Sequence, residues 1–586
     1  MRWFEPAANP ATVDRLSREL SLPATIARIL ALRGIENAEA AQRFLSPSLS
    51  QLHNPFLMAG MDAAVGRIHR ALDQREKVLI YGDYDVDGTM AVVVLLTALR
   101  ALGAQVDAHI PDRMVDGYGM RADVIERAAR EGYRLVLSVD TGIREHAVIA
   151  RARELGVDSI VTDHHLPDGD LPHAAAILNP HRADCAYPEK NLSGVGVAFK
   201  LAQALLGSRL SARVTQSYLK VVALGTIADV VPLVGENRVI AHFGLAGLRE
   251  PVHQGLSALL DVSGVRGRAV STGDVGFRLA PRLNAAGRME NARDVIDLFT
   301  CLDGGQARAI AERLDGLNRE RQQVEERILA EIGTILQEPS ASAWKDRYSL
   351  VFARPGWHRG VIGIAAQRVA ERYHRPALVI AIEDERGQSV GYGSGRSIPG
   401  FHLLDALTAA KDLFVRFGGH AQAAGFTLPA DRIADLESAF EAYARQTLTP
   451  EDLVPEVRVD AAVELETLDW KFYQALKRLE PYGVGNPTPV FGARGLRLTT
   501  APRVFKERHL KLRVGKRSKW FDAVAWGKAE EWSGLGAGTE IDLAFTLEES
   551  TWDGLVNLEL GVKDLVLALS GRDASSPAAS QDDTGD

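Results

Sequence analysis

From residue 77 onward, short apolar runs rich in β-branched residues alternate with amphipathic stretches of helical period, the pattern of a parallel sheet with crossover helices. Strands are expected at 77–81, 105–110, 134–139 and 159–162, separated by helices such as 91–102 and 143–155, and residues 194–248 read as mostly helical. Residues 306–336 form a long charged stretch without proline, including Glu312, Arg313, Glu320, Arg321, Glu325, Glu326 and Arg327, which suits a solvated helix joining two lobes. A second α/β unit follows, with strands near 348–353, 377–382 and 389–393 and helices near 361–372 and 432–445. After Val454 the texture changes to short alternating strands at 497–499, 509–514, 520–526, 540–547 and 557–565, which predict a small barrel. Residues 571–586 are Ser, Ala and Asp with little to bury, and are expected to be disordered.

Composition changes this picture little. A chain of 586 residues with 46% hydrophobic and 25% charged residues is too long for one core and reads as a soluble globular protein of several domains. The two cysteines, Cys185 and Cys301, are too few for a disulfide scaffold or a cysteine-rich zinc site, so a reducing cytoplasm is the expected setting. Residues 1–10 show no signal-peptide core, and the longest apolar run, 91–99, is far short of a membrane span. The net charge of −8 argues against coating nucleic acid along the whole surface. One segment departs from that balance: 503–519 carries Arg503, Lys506, Arg508, Lys511, Arg513, Lys516, Arg517 and Lys519 against the single acid Glu507.

The densest chemistry is Tyr81-Gly-Asp-Tyr-Asp-Val-Asp-Gly88, where Asp83, Asp85 and Asp87 follow a strand directly and an apolar helix is expected from Thr89. Carboxylates at a strand's carboxyl end sit where α/β sheets bind ligands. An EF-hand loop would match the three acids and Gly88 but needs a bidentate Glu where Val94 stands. Two further strands end alike, one at Asp140-Thr-Gly and one at Asp163-His164-His165. Alone, Asp140 reads as a helix cap or turn residue; three strand ends presenting acids or histidines together read as a metal site. Asp229, inside the apolar run Ala223-Leu-Gly-Thr-Ile-Ala-Asp-Val-Val-Pro-Leu233, is a further ligand candidate, with helix capping as its alternative. Oxygen and imidazole donors without thiolates favour Mn²⁺ or Mg²⁺, and several carboxylates can serve two ions, an arrangement suited to phosphoester hydrolysis.

Asp85-Val-Asp87, Asp140, Asp163-His164-His165 and Asp229, in this order and spacing, resemble the four motifs of the DHH phosphoesterases, and the triple-acid form with Asp83 is similar to the RecJ-type branch. Tyr81 stands where other branches carry a histidine. Further similarity runs over about residues 50–565, through Ser193-Gly-Val-Gly-Val-Ala, Arg282-Leu-Asn-Ala-Ala-Gly-Arg288, Gly356-Trp-His-Arg-Gly-Val-Ile-Gly363, Gly393-Ser-Gly-Arg-Ser397, Gly418-Gly-His-Ala-Gln-Ala-Ala-Gly425 and Leu479-Glu-Pro-Tyr-Gly-Val-Gly485.

The resemblance implies an α/β fold: a parallel-sheet DHH domain and a second α/β DHH-associated domain joined by a long helix, then a small OB-like β-barrel. The expected division is an N-terminal helical extension over 1–50, the DHH domain over 51–305, the connecting helix over 306–340, the DHH-associated domain over 341–453, the OB-like domain over 454–570 and the tail over 571–586. It implies that Asp85, Asp87, Asp140, His164 and Asp229 coordinate two Mn²⁺ or Mg²⁺ ions, that His165 faces the scissile phosphate, and that Asp83 is an extra acid of the catalytic set. The activity implied is single-stranded-DNA-specific 5′→3′ exonuclease action in DNA repair and recombination. A single-strand-binding protein and a RecQ-type helicase are the implied partners of an expected monomer.

Substrate contacts are expected from Arg113, Arg282, Arg288, Ser394, Arg396 and His420, the last three grouped to hold a terminal 5′ phosphate with Arg282 or Arg288. The glycines around Ser394 and His420 are read as letting backbone N–H groups approach an anion, or singly as turns. Lys511, Arg513 and Lys516, near Phe505, Trp520, Phe521 and Trp526, are expected to track a DNA backbone beside stacked bases. A solvated basic edge strand is the plainer reading of that segment. Two other functions share the motifs: a phosphodiesterase of short oligonucleotides or cyclic dinucleotides, which would not need the barrel, and a non-catalytic single-strand-binding scaffold, which would be expected to have lost metal ligands.

Overall fold

The structure, a computed structural model, describes residues 1–113, 116–117, 119–251, 253–338, 344–552 and 555–568; the 571–586 tail lies outside the described residues. Among the described residues no helix is long and apolar enough to cross a membrane. The chain divides into two compact units, Ser46–Pro455 with Glu480–Pro487, and Met1–Leu45 with Glu456–Leu479 and Thr488–Asp586.

The larger unit is built on two sheets. The first has five parallel strands in the order Gln105–His109, Lys77–Tyr81, Tyr133–Val139, Asp158–Thr162, Ala176–Leu178. From Lys77–Tyr81 the chain moves first to one neighbour and then returns to the other side, so the carboxyl ends of Lys77–Tyr81 and Tyr133–Val139 flank a topological switch point, where such sheets open to ligands. The Val86–Ala101 helix behind them buries nearly every side chain, from Val86 to Leu99, which is why its sequence is apolar on all faces.

The second sheet runs Arg416–Gly419, Ala423–Pro429, Gln388–Arg396, Ala377–Glu385, Leu350–Pro355, antiparallel except for its last pair. The Gly304–Gln337 helix links the two halves of this unit. It is not solvated all round: Ala307, Ala311, Leu314, Leu317, Ile328 and Ile332 recur at helical spacing along a buried stripe, and the charges Arg321 and Glu325 are buried with it as an ion pair at 2.7 Å.

In the smaller unit the strands Phe491–Leu498, Glu540–Trp552, Leu555–Leu567, Lys519–Ala525 and His509–Lys516 pair in sequence, and His509–Lys516 pairs back onto Phe491–Leu498, so the pairing closes into a ring. Residues Arg2–Phe4 form a parallel pair with Glu456–Arg458. No periodicity in so short a strand announces that contact.

Candidate active site

Three strand ends and three helix ends meet at the switch point. After Lys77–Tyr81 the helix begins at Val86 rather than Thr89, because Asp85 takes the N-cap position, its carboxylate accepting from the Gly88 N–H at 3.0 Å. Asp87 therefore lies in the first helical turn, pointing inward and 1% exposed. Its two oxygens accept from the N–H groups of Gly194 at 2.5 Å and Val195 at 3.0 Å, at the start of the Gly194–Leu206 helix, where the dipole favours negative charge. Asp140 follows Tyr133–Val139 in the left-handed region, with φ +60°, and is 3% exposed. A Cβ at Gly194 would come within 2.5 Å of Asp140 Oδ1, so only glycine permits this approach. Asp229 ends the Ala212–Ala228 helix, and the next residue, Val230, is also left-handed at φ +63°, a strained conformation for a β-branched side chain.

His164 lies among these acids, its Nε2 at 3.2 Å from Asp140 Oδ1, 3.6 Å from Asp229 Oδ2 and 3.9 Å from Asp87 Oδ2. Burial, then the neighbouring His165, push its pKa down to about 4, so the ring is a neutral donor of a lone pair. Asp163 is not part of the cluster but its anchor. It accepts from the N–H groups of His164 at 2.7 Å, His165 at 3.1 Å and Ile143 at 3.0 Å, and bonds His165 Nδ1 at 2.8 Å. Burial opposes charge on His165, but the Asp163 bond together with the charges of Asp163, Asp87 and Asp83 outweighs it and raises the pKa.

The acids crowd one another. Burial and then Asp85 push Asp83 up to about 8 and Asp87 up to about 7; burial and then Asp87 push Asp229 up to about 10 and Asp140 well above the carboxylate range. Among the described residues Asp140 Oδ1, Asp229 Oδ2 and His164 Nε2 have no hydrogen-bond partner. Unpaired buried polar atoms and mutually repelling carboxylates are costly unless cations complete them. Donor atoms of Asp87, His164 and Asp229 lie within 4.8 Å of one another, as do those of Asp83, Asp85 and Asp140. The donor set fits two oxygen-preferring divalent ions.

Opposite the acids stands a set of guanidinium groups. Arg113 lies 5.0 Å from the Tyr84 ring centre and favours the charged form of Asp83. Arg288 donates to the Gly360 carbonyl at 3.2 Å, and burial and then Arg113 lower its pKa to about 9. Burial and then Arg113 likewise lower that of Arg396. Arg396 and Ser394, bonded at 3.1 Å, share one face of the Gln388–Arg396 strand. The alternating glycines of this strand face the other way: a Cβ at Gly393 would meet the Phe426 ring at 2.0 Å. They serve packing rather than opening the backbone to an anion. His420 also bears on the group, its pKa lowered by burial and then by Arg396 and His165. Arg282 does not join: it pairs with Asp315 at 2.9 Å and bonds the Arg278 carbonyl. Six positions before Arg288 on one helix, it points about 120° away from it.

In the smaller unit the basic strand has an exposed side. Arg513 lies 3.5 Å from the centre of the Trp520 ring, which is 52% exposed, and Trp526, 61% exposed, packs with His509 and Phe505. Lys516 pairs with Glu464 at 3.0 Å, and Lys511 is exposed. Phe521 is not a stacking surface: strand alternation turns it inward, 6% exposed.

A family model described as the DHH family, N-terminal domain matches residues 77–226, one described as the DHHA1 domain matches 347–446, and one described as the RecJ OB domain matches 459–564. The single-stranded-DNA-specific exonuclease RecJ of Bacillus subtilis (strain 168) is 37% identical over 569 residues, 97% of this chain and 71% of that protein. The chain belongs to the RecJ family. The crystal structure of RecJ in complex with Mn²⁺ from Thermus thermophilus superposes with a TM-score of 0.82 at 32% identity, over 97% of this chain and 80% of that one. The corresponding RecJ complex with Mg²⁺ gives 0.75 at 30%, over 96% and 78%.

Sequence reasoning missed several parts of this RecJ site. Asp163 as an anchor, the Tyr84–Arg113 contact, and Gly363, which lies against Ser394 and Arg396, depend on long-range packing. The adjacency of Asp163 to the two histidines was the one readable hint.

Proposed function

We propose that this RecJ-family protein is a metal-dependent exonuclease that hydrolyses single-stranded DNA from its 5′ end, releasing 5′-mononucleotides. The observation that carries the reading is the facing of two acid groups and the Arg113, Arg288 and Arg396 guanidinium groups within one unit. Asp87, His164 and Asp229 would hold one Mn²⁺ or Mg²⁺ ion, and Asp83, Asp85 and Asp140 the second. Ions so bound stabilise charge growing on the phosphoryl oxygens and make a nucleophile of water at neutral pH.

The residues then divide the work. His165, turned by Asp163 and favoured in its protonated form, donates to a phosphate oxygen at the scissile bond. Arg396, Ser394, Arg288 and His420 grip the terminal phosphate, Arg113 the chain between. A fixed grip sets the distance to the first scissile bond, so one nucleotide leaves per cut. When the bond between phosphorus and the 3′ oxygen breaks, the shortened strand keeps a 5′ phosphate, and the grip finds its ligand again. Lys511, Arg513, Lys516, Trp520 and Trp526 supply affinity for the strand. A RecQ-type helicase and a single-strand-binding protein fit as partners because such an enzyme consumes strands that must first be exposed.

The test is digestion with Mn²⁺ of one strand labelled separately at each end. Early release of the 5′ label as a mononucleotide, with the 3′ label held in shortening fragments, is the expected result. Early release of the 3′ label, or equal cutting of duplex DNA, would overturn it.

A further inference from the structure

The helix N-terminus that holds Asp87 is itself held. Ser193, the N-cap of the Gly194–Leu206 helix whose first N–H groups hold Asp87, accepts from the Gly196 N–H at 3.3 Å through its hydroxyl, and the same Oγ lies 3.1 Å from Thr226 Oγ1. Both hydroxyl side chains are fully buried. A hydroxyl has one proton and can accept twice. Ser193 Oγ can therefore accept the Gly196 N–H and still bond Thr226. The neighbouring Gly225 lets the two helices close: a Cβ there would fall 2.9 Å from Asp87 Oδ1. Three residues beyond Thr226 the same helix ends in Asp229.

We infer that Ser193 and Thr226 form a hydroxyl bridge that locks the end of one helix to the start of another, setting the separation of Asp87 from Asp229 and thereby the affinity of the site they share with His164. Both are positioning residues. Neither touches the substrate, and a bonded hydroxyl pair in a dry interior is directional where apolar packing is not. The inference rests on reading Asp87, His164 and Asp229 as a metal site.

The test is a calorimetric titration of Mn²⁺ into the full-length chain without DNA, on wild type, Thr226→Val and Thr226→Ser. Valine keeps the shape and removes the hydroxyl. Binding of two ions by wild type, with one affinity lowered about tenfold in Thr226→Val and restored in Thr226→Ser, is expected. The thermal midpoint of the metal-free variants should move little by comparison. Should Thr226→Val not fold, Ser193→Ala carries the same expectation, with Ser193→Thr as its rescue. Unchanged affinity in the hydroxyl-less variants, or equal loss in the serine and valine variants, overturns the bridge while leaving the metal site standing. Wild type that takes up no Mn²⁺ overturns the metal reading and the bridge together.

Discussion

The acid cluster and the basic strand both gather charge, yet they are built in opposite ways. Asp83, Asp87 and Asp140 are buried, and the protein fixes the cluster by backbone means: the Gly194 and Val195 N–H groups on Asp87, the left-handed turn at Asp140, and the three backbone N–H groups on Asp163 that hold the histidine segment beside it. Lys511, Arg513 and Lys516 lie on a strand surface in solvent, held by one ring and single acids. Solvent screens such charges, and each contributes little alone. A site that bonds to reacting atoms needs position to a fraction of an ångström; a surface that follows a flexible strand needs only sign and approximate spacing. The difference separates chemistry from affinity, and variants in the two regions should differ in kind as well as size.

The largest effect is expected from Asp140→Asn, which keeps volume but removes the charge of a donor that also lies 3.2 Å from His164 Nε2 of the other group. Turnover at saturating Mn²⁺ should fall by roughly a thousandfold, the scale of losing a main electrostatic element, while single-strand affinity in a gel-shift assay persists. Next comes Gly194→Ala. The added methyl contacts no substrate, but it would displace Asp140, and a shift of an ångström costs on the order of a hundredfold; near-normal kcat in this variant would show that backbone placement is less critical than argued.

Arg396→Ala sharpens the comparison from within the larger unit. Loss of a charge-assisted bond should lower kcat/KM on 5′-phosphorylated strands about tenfold more than on 5′-hydroxyl strands. Equal losses on both substrates would move Arg396 to the scissile phosphate or to the fold. The smallest effect belongs to the triple variant Lys511→Ala, Arg513→Ala, Lys516→Ala. Its kcat should hold, and the log–log slope of affinity against salt should flatten by about 0.7 for each phosphate that the variant no longer neutralises. An unchanged slope would make the strand plain surface charge.

What could be read in the sequence follows the same division. That Asp83, Asp85, Asp87, Asp140, His164 and Asp229 come together was legible, because each follows a strand or closes an apolar helical run, where an ionisable group has few other uses. The closing of the C-terminal strands was visible in their alternation. The guanidinium set was half legible: Arg288 and Arg396 stand in glycine-rich motifs, but that Arg282 turns away to Asp315 depends on helical phase and a partner 33 residues on. The glycines of Gly393-Ser-Gly-Arg-Ser397 misled for a related reason. A glycine near an anion site and a glycine under a phenylalanine are written identically, and only Phe426 tells them apart. The solvated reading of the long helix holds for Glu312, Arg313, Glu320, Glu326 and Arg327 but not for Arg321 and Glu325, which look exposed until their pairing is seen.

The central claim is that two ions sit in two sets of donors, with Asp83 a member of the second. Anomalous diffraction at the manganese edge, from crystals of the full chain grown with Mn²⁺, tests it most directly. Two peaks are predicted, one enclosed by Asp87, His164 and Asp229 and one by Asp83, Asp85 and Asp140. A single peak, or a second one with the Asp83 carboxylate turned away, would contradict it.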